Sequence, residues 1–81
     1  MTVSGKQIAA ARQLVGFTQA DLAVAAGVSD ETIMNWETGN RAPRPQTVEK
    51  VREALERRGI EFTNGGEPGV KLRPSRAVIP M

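Results

Sequence analysis

Three glycines, each standing just past a run of residues with helical apolar spacing, constrain this chain more than any other feature: Gly16, Gly27 and Gly39. Glycine enters left-handed backbone without steric cost, so it is a common place for a helix to stop. Each stop is matched by a start. Ser4-Gly5-Lys6-Gln7 has the form of a capping box, in which a serine oxygen accepts from a free helical amide while Gln7 reaches back. Thr18-Gln19-Ala20-Asp21 repeats that logic, and Ser29 is placed to cap a third helix. Starts and stops together predict three short helices before residue 40.

Their apolar residues say how they pack. Ile8, Ala11, Leu14 and Val15 form one stripe on the first helix, with Phe17 following as a core anchor. Leu22, Ala23 and Ala26 point inward from the second, Val28 plugs the core, and Ile33 and Trp36 form the inner side of the third. Two helices joined by a short turn containing glycine make a helix-turn-helix layout. Asn40 to Arg44 is a loop with Pro43, and Pro45 suits the first turn of a fourth helix because its missing amide has no partner there anyway. Val48, Val51 and Leu55 give that helix its apolar face. Glu49 with Glu53, and Glu53 with Arg57, stand at i,i+4 outside, and an end near Arg58 is expected.

After Gly59 the period changes to alternation. Ile60-Glu61-Phe62 and Val70-Lys71-Leu72, separated by the turn-rich Asn64 to Gly69, predict a β-hairpin. A lone hairpin is marginal in water, so it must lie on the helices or on a second copy of itself. The fold class is therefore mainly α: four helices over residues 1–59, a short C-terminal hairpin over 60–73, and a tail over 74–81 without pattern, expected to be disordered.

Eighty-one residues suffice for one small core and fit a binding module better than an enzyme with a deep cleft. With no cysteine and no histidine, the usual thiolate and imidazole metal sites and the commonest nucleophile and base chemistries are removed, so no catalytic residue, metal or cofactor is expected. The apolar run Ile8 to Ala11 is too short for a signal peptide or membrane span, which predicts a soluble, cytoplasmic protein. Gly65-Gly66 lacks the strand-to-helix setting of a phosphate cradle. Net charge is only +2, yet Arg41 and Arg44 lie together with no acid between Glu37 and Glu49.

Gln19-Ala20-Asp21-Leu22-Ala23, Gly27-Val28-Ser29, Ile33, Trp36-Glu37-Thr38-Gly39 and the Pro43 loop together resemble the Cro/C1-type (XRE-like) helix-turn-helix of phage repressors and small bacterial regulators. The resemblance covers roughly Gln7 to Leu55 and implies a lambda-repressor-like helical DNA-binding domain. It also implies that the third helix enters the major groove. Ser29, Asp30, Glu31, Thr32 and Asn35 are then candidate base contacts, Asn35 being suited to pair bidentately with adenine. Asp30 and Glu31 have a second reading, as complements to the helix dipole. Gln19, Thr38, Asn40, Arg41 and Arg44 are candidate phosphate contacts, with Arg44 able to reach the minor groove. By the same resemblance, Arg12 and Glu37 form a structural ion pair.

The function implied is a transcriptional regulator, more a repressor than an activator, acting at the nucleoid on double-stranded DNA as a homodimer at a palindromic operator. Ile60, Phe62, Val70 and Leu72 are the candidate dimer contacts. Two rival readings use the same fold: an antitoxin that binds a toxin partner as well as its own promoter, and a protein-interaction module that does not bind DNA.

Overall fold

Each of the first three helices begins where a side chain takes up its free amides. The computed structural model describes residues 3–63 and 68–73, in the order α1 (Gly5–Leu14), α2 (Gln19–Ala26), α3 (Asp30–Thr38), α4 (Pro45–Glu56), β1 (Ile60–Thr63) and β2 (Gly69–Leu72). Both capping boxes are formed in full, Ser4 with Gln7 and Thr18 with Asp21. Ser29 Oγ accepts from the Thr32 amide at the start of α3. Of the expected turn from Asn64 to Gly69, residues 64–67 lie outside the described residues and Gly69 already opens β2; the expected disorder of the tail at 74–81 also lies outside them.

Gly27 and Gly39 close α2 and α3 in the left-handed conformation, at φ 71° and 79°. Any residue with a Cβ would be strained there. Helix α4 ends at Glu56, two residues earlier than expected, because the amides of Arg58 and Gly59 turn back tightly onto the Leu55 and Glu56 carbonyls. Its outer charges also pair differently from the expected pattern: Arg52 bridges Glu49 and Glu56.

One cluster of buried side chains joins all these elements. Ile8, Leu22, Ile33, Val51 and Leu55 are fully buried, and Trp36, Ile60 and Phe62 close around them. Phe17 and Val28 are half-buried against this core, and the Arg58 guanidinium covers the Phe17 ring at 4.9 Å from its centroid. Leu14 departs from the expected stripe, being 46% exposed. It shares the flank of α1 that carries Gln7, but the hairpin covers that flank only two turns earlier.

The hairpin is antiparallel, with Ile60 opposite Leu72 and Phe62 opposite Val70. Opposed residues share a face, so all four side chains turn toward the helices. Of the two supports expected for the hairpin, the structure shows the helices: Ile60 and Phe62 are buried in the chain's own core, Val70 packs against it, and Leu72 overhangs its rim at 37% exposure. A buried amide fastens the hairpin to α1. Gln7 Nε2 donates to the carbonyls of Thr63 and Gly69, at 3.3 and 3.1 Å, while its Oε1 accepts from the Ser4 amide.

Candidate nucleic-acid interface

Helix α3 is nine residues long and buries Ile33 and Trp36, so residues near the opposite side of its wheel must face water. Glu31, Met34 and Thr38 are exposed there and Asn35 is half-exposed. Beside this face runs the Asn40 to Arg44 loop. The Asn35 carbonyl anchors the loop by accepting from the amides of Asn40 and Arg41, at 3.0 and 3.3 Å.

The result is an open groove of about 540 Å³ walled by Ser29, Glu31, Thr32, Asn35, Arg41, Ala42, Pro43, Arg44 and Thr47. Four of the five candidate base contacts thus lie together with the two loop arginines. Among the described residues, neither Arg41 nor Arg44 has a carboxylate partner, and the Asn35 carboxamide makes no hydrogen bond within the chain. Solvated arginines beside an unpaired amide match what a duplex requires, cations for phosphate and a donor-acceptor pair for a base edge. Ser29 Oγ and Thr32 Oγ1 share one hydrogen bond at 2.8 Å, which leaves one of their two hydroxyl protons to donate elsewhere.

The remaining candidates lie off this wall. Asp30 is exposed in the first turn of α3, where a carboxylate complements the helix dipole. Asn40 is exposed at the start of the loop. The Thr38 hydroxyl donates to the Met34 carbonyl at 2.9 Å, so it must rotate before it can donate to a phosphate. Gln19 Nε2 donates to Glu37 Oε1 at 3.1 Å, and its amide is likewise engaged within the protein.

That last bond belongs to a network holding α3 in place. Arg12 meets Glu37 in a fork, Nε to Oε2 at 2.9 Å and Nη2 to Oε1 at 3.1 Å, while its Nη1 donates to the Phe17 carbonyl at 2.9 Å. The end of α1, the start of α2 and the end of α3 are thereby tied at one point. At the start of α2, hydrogen bonds from the Thr18 backbone and side chain hold the exposed Asp21 carboxyl below its ordinary pKa.

Sequence reasoning missed two residues. Thr47 reaches the groove from the first turn of α4, and its signal was a polar residue directly before Val48 on the helix that follows the arginine loop. Gly5 lies under α3: a Cβ built there would fall on the Trp36 carbonyl oxygen and 3.0 Å from Glu37 Cα. Its place inside a capping-box sequence gave no sign of this.

Among the described residues, no helix is long and apolar enough to cross a membrane, and no group of acidic side chains is clustered to hold a metal ion. No curated protein matches the chain. A helix-turn-helix family model matches residues 8–62, from the first turns of α1 to the first strand of the hairpin. With more than half the chain matched, and with the glycine-turned α2–α3 pair and its outward polar face in place, the chain belongs to the Cro/C1-type helix-turn-helix family of DNA-binding transcription regulators.

Proposed function

We propose that the chain is a cytoplasmic repressor that binds a palindromic operator as a homodimer, with α3 in the major groove and Arg41 and Arg44 on the flanking phosphates. The observation carrying this reading is the convergence on one groove of the unpaired Asn35 amide, the two loop arginines and the one hydroxyl proton that the Ser29–Thr32 hydrogen bond leaves over. A dimer is required on grounds of selectivity, since one short helix reads too few base pairs. The chain measures 34 × 32 × 20 Å. Two copies side by side on one DNA face therefore fit reading helices one helical turn apart, about 34 Å. With Ile60 and Phe62 buried in the core, Leu72, 37% exposed, is the apolar hairpin residue that a second copy would cover.

Selection of bound sequences from a random DNA pool tests the reading. It should return an inverted repeat, and affinity should fall steeply with salt as phosphate contacts release counterions. Asn35→Ala should relax preference at one symmetric position, removing about 1 to 3 kcal/mol of discrimination. Arg44→Ala should weaken every sequence alike and lower the salt slope by about one. Binding that is indifferent to salt and sequence would remove the proposal. Sedimentation equilibrium of the full chain should give a dimer that Leu72→Arg dissociates; a monomer at operator-saturating concentrations rejects the homodimer.

A further inference from the structure

The outward face of α3 carries one side chain that phosphate binding and hydrogen bonding leave unexplained. Met34 is 45% exposed, although its sequence neighbour Ile33 is fully buried. It stands at i+3 from Glu31 and i−4 from Thr38, beside Asn35, and so belongs to the face turned from the core. The other exposed large apolar side chains, Leu14, Val24 and Leu72, are on other elements. Met34 is therefore the one such group on the reading face among the described residues.

Its neighbours limit what can cover it. Asn35 and Glu31 share a groove with Arg41 and Arg44, whose unpaired guanidiniums favour a phosphate backbone beside the helix. With phosphates on the flank, the outward residues of α3 meet base edges. Those edges carry hydrogen-bonding groups at every base pair but a single apolar group, the 5-methyl of thymine. Adenine, guanine and cytosine offer the thioether nothing comparable. The unbranched methionine chain can follow a methyl group without fixed geometry, because three rotatable bonds and a polarisable sulfur adapt to its position.

We infer that Met34 reads thymine through its 5-methyl group, an apolar specificity contact set beside the polar one of Asn35. This rests on the DNA-reading function above and deepens it by naming the base and the atom recognised.

The test compares thymine with deoxyuridine, which lacks only that methyl, at each position of the selected operator. At one symmetric position, uracil should weaken the wild-type protein about fourfold per half-site, the ratio that roughly 0.8 kcal/mol per buried methyl gives. The ratio should fall to about one in Met34→Ala and persist in Met34→Leu. An equal thymine-to-uracil ratio in wild type and Met34→Ala overturns the assignment, as does the absence of any uracil-sensitive position. Loss of self-association by Met34→Ala with the ratio intact overturns it too, by making Met34 a protein contact. Failure to select any sequence strikes the DNA-reading function itself, whereas selective binding with an unchanged ratio strikes only the role of Met34.

Discussion

Arg12→Ala is expected to lower the free energy of unfolding by about 3 to 5 kcal/mol. The partner left behind is the reason. The Glu37 side chain is only 7% exposed and that of Arg12 15%, so truncation strands a carboxylate that water reaches poorly. Gln19 Nε2 would remain as one donor where there had been three, and the Phe17 carbonyl would lose the Arg12 Nη1 bond. For a domain of this size the loss corresponds to a fall in Tm on the order of 15 °C. Arg12→Lys keeps the charge but not the planar fork, and should lie between the two. Glu37→Gln in the Arg12→Ala background should recover part of the loss by removing the stranded charge. Thermal unfolding followed by circular dichroism measures all four proteins. A fall of under about 4 °C for Arg12→Ala would mean that the pair acts as an ordinary surface bridge.

Gly5→Ala is expected to destabilise the fold by about 2 kcal/mol or more, against the direction helix propensity gives. Within a helix, alanine is ordinarily better than glycine by roughly 0.5 to 1 kcal/mol. Here the new methyl would meet the Trp36 carbonyl oxygen and the backbone at Glu37, not the end of a flexible side chain. Backbone cannot rotate away, so α1 and α3 must separate, and overpacking of this kind typically costs about 1 to 3 kcal/mol. Separation also disturbs Trp36 and the Arg12–Glu37 fork, which lie on the same helix crossing. Denaturant unfolding reads the sign directly: a midpoint raised by Gly5→Ala would show that the two helices have room to spare.

The difference between these substitutions and the features seen in the sequence is one of range. Capping boxes, glycine stops and the proline at the head of α4 act within a few residues, and the sequence spells them out. The apolar positions Ile8, Leu22, Ile33 and Trp36 were legible for the same reason, since helical spacing marks an inner face without saying what covers it. Leu14 shows the limit of that rule: it satisfies the spacing, yet among the described residues no element extends far enough to bury it. The close approach at Gly5 and the pairing of Arg52 with both Glu49 and Glu56 depend on which neighbour arrives and at what distance. In the candidate interface, Asn35, Arg41 and Arg44 were singled out from residue type together with the resemblance to Cro/C1-type proteins, which supplied the groove they would face. Thr47 needed the position of α4, and the engagement of Gln19 with Glu37 needed the distance between two helices.

The double duty of Gln7 bears on which residues are interchangeable. At the start of a helix, glutamine and glutamate serve equally well, because either offers an oxygen to the amide of the capping residue. At position 7 that equivalence fails. The nitrogen of the same carboxamide donates to two strand carbonyls, and a carboxylate would set oxygen against oxygen at both. A homologue carrying glutamate there would look locally conservative while having to anchor its strands by other means.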